Sequence, residues 1–313
     1  MFRAGSITKL DSPGQSSVNN KPSAAKRKTP AWLGTALLLS PASLWYLLLL
    51  VAPLVIVTVF SFGARAPEGG YTPAFTLEQY LKLPTRITPF KNTLWLAAVG
   101  TLFCILIAYP LAYYLATRAT EKSKSLLVAL IIVPFWTSFL IRTYAWVTIL
   151  SARGIPALLE SLGLVKELVI LNTPFAIILG IVYNYLPLMT FPLYVSLERL
   201  DKRLLEASKD LGANRLGTFL QITLPLSMPG LVTGSMLVFI LLMGEYLIPA
   251  LLGGGKIFFV GNALVDLFLQ SRNWPFGSAV AMALNFIMLI VITLYLRFTS
   301  RLGGSGREDI SLF

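Results

Sequence analysis

Histidine is absent from the 313-residue sequence. Its absence excludes His-based catalytic triads, the common zinc ligand sets and imidazole proton relays. The single cysteine, Cys104, lies deep in an apolar run, so no intramolecular disulfide framework can form. Charge is scarce as well: Asp, Glu, Lys and Arg make up 13% of the residues against 56% hydrophobic ones, which places the chain outside the composition of soluble globular domains. Acid is the scarcer sign, and the net charge is +12. The basic residues are spread over short polar stretches between apolar runs, so the surplus does not predict a nucleic-acid partner. A phosphate-binding loop is missing too. Gly253-Gly254-Gly255-Lys256 is followed by Ile257 where Ser or Thr should stand, and no first glycine precedes it at the required distance. It reads as a flexible turn, and the chain is expected to bind no nucleotide, metal or other cofactor itself.

What remains is length in apolar runs. Several exceed the ~18 residues that mark a membrane-spanning helix. Six spans are expected, near Leu33–Phe60, Thr93–Leu115, Leu126–Leu150, Pro174–Leu197, Gly230–Leu252 and Phe276–Phe298. The class is therefore an all-α, multi-pass membrane protein with membrane lipid as its surroundings. Residues 1–30 are rich in Ser, Pro, Asn and Lys without periodicity and read as a disordered tail. The six-helix domain then fills 31–300, and 301–313 form a second tail. Residues 61–90 are a polar loop with a short helix near Leu77–Leu83. Placing both termini in the cytoplasm puts 17 of the 26 Lys and Arg on that side, as the positive-inside tendency requires. Trp95, Trp146 and Trp274 then fall near the outer interface.

The most informative stretch is polar, from Glu198 to Pro225. Leu197, Leu200, Leu204, Ser208 and Leu211 recur at helical spacing among charged residues, which predicts an amphipathic surface helix. Gly212 ends it, a second short helix follows through Leu216, Phe219 and Leu220, and Pro225 is expected to stop that one. The spacing Glu206-Ala207-Ser208, three residues to Gly212, nine to Ile222, then Leu224-Pro225 resembles the cytoplasmic EAA loop of ABC-importer permeases, with Ser208 in place of the second alanine. The resemblance implies the type I ABC importer permease fold, no catalytic residues, and a coupling helix that seats on a partner ATPase. Glu206, Ala207, Ser208, Asp210, Leu211, Gly212, Ala213, Ile222, Leu224 and Pro225 would make that contact. ATP and Mg would be bound by the partner ATPase dimer, with a second homologous permease and an extracytoplasmic substrate-binding protein completing the assembly in the bacterial inner membrane.

Gly244-Glu245-Tyr246-Leu247-Ile248-Pro249, with Leu251 to Gly254 and Asn273-Trp274-Pro275 beyond it, is similar to the permeases of spermidine and putrescine importers. Polyamines are flexible polycations, held by carboxylates and aromatic faces. Glu245 is the leading site residue because a carboxylate inside a span needs a partner or a water-filled cavity. Tyr246, Trp136 and Asp266 are also available, and Asn184 and Tyr185 could bond a substrate or a neighbouring helix. Arg142, near the outer end of its span, can snorkel to the interface. The open alternatives are the same machine carrying an opine, sulfate or a metal complex, and a stand-alone secondary transporter.

Overall fold

The computed structural model describes residues 31–303. The expected tails at 1–30 and 304–313 lie outside the described residues. The chain divides into two units, one ending at Pro53 and one beginning at Leu54. In the first, helix α1 (Ala31–Tyr46) passes through a π turn (Leu47–Val51). Helix α2 (Ala52–Ser61) follows across the boundary. The apolar stretch Leu38–Ser61 is long enough to cross a membrane, and its most apolar window has no buried residue.

After α2, the polar stretch expected to be loop holds a hairpin: β1 (Ala64–Arg65) pairs antiparallel with β2 (Tyr71–Thr72). Phe60 stacks on Tyr71 at 4.3 Å between ring centroids, and on Trp274 at 6.1 Å. The expected short helix is α3 (Glu78–Leu81). Helix α4 (Ile87–Thr117) crosses next, followed by α5 (Glu121–Trp136), α6 (Phe139–Leu150) and α7 (Ile155–Ser161). Helix α8 (Pro174–Glu198) begins with Pro174 in its first turn and Thr173 accepting the Ala176 N–H at 3.3 Å. The polar stretch holds α9 (Lys202–Asp210) and α10 (Arg215–Thr218), which runs through a π turn (Phe219–Thr223) into α11 (Leu224–Met243). Short helices α12 (Leu247–Leu252) and α13 (Val260–Val265) and the long α14 (Trp274–Gly303) complete the chain.

Helices α4, α8 and α11 form the core. Leu96, Cys104 and Ala108 of the first meet Ile177, Ile181 and Met189 of the second and Val238 and Leu242 of the third. Lipid is as apolar as these side chains, so their burial is not driven as it would be in water; close fit and buried hydrogen bonds hold the helices together. Gly230 and Gly234, four residues apart, supply the fit. A Cβ on Gly230 would lie 2.4 Å from the Pro192 carbonyl oxygen, so the α8 and α11 backbones touch there. Tyr109 and Ser227 share a hydroxyl–hydroxyl bond of 2.7 Å between α4 and α11.

Three expectations change. The span expected over Leu126–Leu150 is α5 and α6, bent by 98° at a break after Trp136. Pro134 opens the break by removing an amide from the last turn, and Thr137 and Ser138 follow in extended backbone. The span expected over Gly230–Leu252 stops at Met243, and α12 is separate. Pro225 does not stop a helix: the π turn immediately before it widens the backbone, and residues Arg215–Met243 run as one span. Among the described residues, five helices are thus long and apolar enough to cross a membrane, or six when the bent pair counts as one.

Candidate functional site

Two places concentrate polar chemistry. The first is the stretch between α8 and α11. Leu197 is buried in α8, and the surface helix starts only at Lys202, where the Asp201 carboxylate accepts the Arg203 N–H at 2.9 Å. Asp201 is a helix-initiating side chain that interrupts the leucine stripe. Helix α9 ends at Asp210, Leu211 caps it, and Gly212 follows with φ of +80°, the left-handed conformation that suits glycine. The Gly212 and Ala213 N–H groups donate back to the Lys209 and Ser208 carbonyls at 2.9 and 3.0 Å, satisfying the orphan end of the helix. Asn214 then caps α10 through the Gly217 N–H at 2.6 Å.

Ser208, the one departure from the EAA pattern, is buried and bonded to the Thr218 hydroxyl at 2.8 Å. Two polar residues thereby pin α9 to α10 across the glycine turn. Leu211 is 88% exposed, with Leu204, Leu216 and Leu220 also exposed. A groove opens between the two helices over Leu204, Ala207, Gly212, Asn214 and Gln221. Glu206, Asp210 and Pro225 face outward, Ala213, Ile222 and Leu224 are half-buried. At the root of this stretch Lys124 pairs with Glu198, the Tyr194 hydroxyl donates to the same carboxylate at 2.6 Å, and the Lys124 ammonium lies 5.3 Å from the Tyr194 ring centre. That cluster ties the first turn of α5 to the last turn of α8. Helix α5 contains no fully buried residue, and Leu127, Val128, Ile131 and Ile132 are half-buried.

The second place lies inside the membrane. Glu245, 7% exposed, occupies the gap between α11 and α12. Its Oε1 accepts the Leu247 and Ile248 N–H groups at 2.8 and 3.1 Å, and its Oε2 accepts the Tyr185 hydroxyl of α8. Three donors and a helix N-terminus keep the carboxylate satisfied within the chain. Tyr185 also meets Phe139, the first residue of α6, with ring centres 6.3 Å apart. Arg142, expected near the interface, is 8% exposed instead, its guanidinium 5.1 and 5.9 Å from the Phe135 and Phe139 ring centres and its Nε without a partner.

The remaining expected residues separate. Asn184 is buried and donates to the Gly180 carbonyl of its own helix at 2.9 Å, leaving Oδ1 unpartnered. Tyr246 is exposed beside the break, and its carbonyl accepts from Asn262 at 3.1 Å. Trp136 is 83% exposed at the end of α5. Asp266 stands apart, 3.9 Å from Arg86. The structure therefore brings Glu245 and Tyr185 together, places Tyr246 next to Glu245 in the chain, and pairs Asp266 with Arg86 instead. Phe139, Arg142 and the Thr137-Ser138 step belong to the same neighbourhood and were missed as site residues. The signal for them was Pro134 followed three residues later by a Thr-Ser pair, a helix stop and restart inside an apolar run.

No group of three or more metal-ligating side chains occurs among the described residues. Broken apolar spans and an amphipathic elbow projecting between two of them define a multi-pass membrane protein. The chain belongs to the family of binding-protein-dependent transport system inner membrane components, which it matches over residues 108–303. It is 40% identical to the spermidine/putrescine transport system permease protein PotB of Haemophilus influenzae over 81% of this chain and 90% of that one. It is 32% identical to the inner membrane ABC transporter permease protein YdcU of Escherichia coli over 82% and 89%. A bacterial ABC transporter that imports the acidic polysaccharide alginate has the same fold, with a TM-score of 0.69 at 19% identity, covering 86% of this chain and 96% of that one. The type I importer permease fold is therefore that of this chain.

Proposed function

We propose that the chain is the membrane subunit of an ATP-driven importer of polyamines, moving spermidine and putrescine across the bacterial inner membrane. The observation that carries the substrate is the 40% identity to the Haemophilus influenzae spermidine/putrescine permease over 81% of this chain and 90% of that one. Fold alone does not choose it, because the alginate importer shares the fold and takes an acidic cargo. In this reading both termini are cytoplasmic, and the exposed leucines around Gly212 seat in a dimeric ATPase that binds ATP and Mg. A second, homologous permease and an extracytoplasmic substrate-binding protein complete the machine. ATP binding closes the ATPase pair, the seated loop moves with it, and the spans exchange inward for outward opening. Both ligands bias one two-state element, so the permease needs no covalent step. Glu245, Tyr185, Tyr246 and Trp136 form the region past which the polycation travels, while Asn184 and Asp266 support packing and the outer loops.

The test is ATP hydrolysis by the assembled complex in liposomes, with and without the binding protein and each polyamine. Stimulation by spermidine or putrescine only when the binding protein is present is expected. An assembled complex that responds to neither would overturn the substrate assignment.

A further inference from the structure

Both interruptions in the spans sit at one depth. Tyr185 lies 13 residues from the inner end of α8 and 11 from the outer, about 20 Å and about 16 Å along the helix at 1.5 Å per residue. Glu245 of one break and Phe139 of the other both contact it. Trp136 is likewise about 18 Å up α5 from Lys124, well inside a hydrocarbon layer about 30 Å thick. At the first break Trp136, Thr137 and Ser138 are all exposed, and the Ser138 side chain caps no amide of α6. At the second, Gly244 and Tyr246 are exposed. The Thr137 and Gly244 amides bond back to the Pro134 and Leu241 carbonyls, and the Tyr246 carbonyl accepts from Ala250 and Asn262. The first turn of α6, however, has no side-chain cap. A helix start left uncapped at this depth belongs against protein or water, because an unpaired amide facing lipid costs several kcal/mol.

Polarity of the helix ends adds a second argument. Helices α5 and α11 both terminate at these breaks, and a helix C-terminus carries partial negative charge that favours a cation. The positive end of α12, which would oppose it, is occupied by the Glu245 carboxylate. Arg142 lies beside the first break, but it is 8% exposed and covered by the Phe135 and Phe139 rings that flank it.

We propose that the two breaks, drawn together on Tyr185, are this chain's wall of a water-filled path for a linear polycation, and that Glu245 acts behind that wall as a positioning residue rather than as the cation's ligand. The wall is open on its other side and is completed by the second permease. The substrate class rests on the polyamine reading above, whereas the location of the water does not.

Cysteine labelling separates the two. The native Cys104 is fully buried, so the background is silent. Ser138→Cys is nearly isosteric, and a Cβ on Gly244 would meet nothing nearer than the Leu241 carbonyl at 4.0 Å. In the assembled complex, a membrane-impermeant thiol reagent should modify Ser138→Cys and Gly244→Cys, and should leave Leu106→Cys, on the exposed face of α4, unmodified. Failure to label both break positions overturns the path. Labelling that spermidine does not slow, in the presence of the binding protein, keeps the path and removes the polyamine. Adding Glu245→Gln should alter the labelling rate at Gly244→Cys while spermidine still protects. Loss of protection with an unchanged labelling rate would make Glu245 the ligand and overturn its positioning role.

Discussion

Gly212 offers the cleanest perturbation because space and conformation are separable there. A Cβ added at this position would find no heavy atom within 4 Å, so any residue fits. The obstacle is φ of +80°. A non-glycine residue in this conformation is disfavoured by about 1–2 kcal/mol, and a β-branched one by more. Gly212→Val should therefore reduce the population of the observed elbow by roughly 5- to 30-fold, the ratio corresponding to that energy. The rest of the membrane domain, held by α4, α8 and α11, should not unfold. Gly212→Asn adds bulk but tolerates the left-handed region, and it should be nearly silent. The assay is substrate moved per ATP hydrolysed in liposomes, with assembly checked by co-purification of the ATPase. A lowered ratio for Val and a normal one for Asn are expected. Equal impairment of both would mean that bulk against the partner, not backbone conformation, governs coupling. A Val variant that assembles and couples normally would refute the reasoning outright.

Ser208→Ala should lower thermal stability of the loop by about 1 kcal/mol, since it strands the Thr218 hydroxyl in a buried site, and adding Thr218→Val should recover most of that loss. Leu211→Asp should leave the melting temperature of the isolated permease unchanged, because the side chain is already in solvent, and should abolish co-purification of the ATPase; a melting shift without loss of binding would contradict the docking role. Tyr185→Phe removes one donor from a buried carboxylate and should destabilise the protein by about 1.5–3 kcal/mol in a detergent melting assay, whereas Tyr183→Phe, whose ring meets Trp146 edge-on at 5.3 Å between centroids, should not.

How far the chain could be read ahead of the fold depended on the kind of signal. Pro174–Glu198 was legible almost to the residue because a capping threonine, a first-turn proline and a charged end frame one apolar run. The elbow was legible for a similar reason: Gly212 is punctuation with one mechanical meaning. The α5–α6 bend was not. Phe135, Trp136, Phe139 and Leu140 continue the hydropathy across it, and hydropathy sums side chains without seeing backbone direction. The π turns at Leu47–Val51 and Phe219–Thr223 carry no compositional mark at all. Glu245 was singled out as an acid in a membrane, but its partners come from residues 60 positions earlier and two and three positions later, and only the second set follows from local sequence. Arg142 was placed by its distance along a straight span, and the bend moved it inward.

The bend has a consequence for how the protein is made. With 16 and 12 residues, α5 and α6 each fall short of the ~20 that carry a helix across a bilayer unaided. In the proposed topology, with both termini cytoplasmic, the insertion machinery must accept the pair as a single crossing. If the pair were rejected, or counted as an in-and-out hairpin, every later segment would enter with reversed orientation, and the leucine-tipped elbow after α8 would emerge on the wrong face. Biogenesis of the entire second half thus hinges on two helices that only together are long enough to be read.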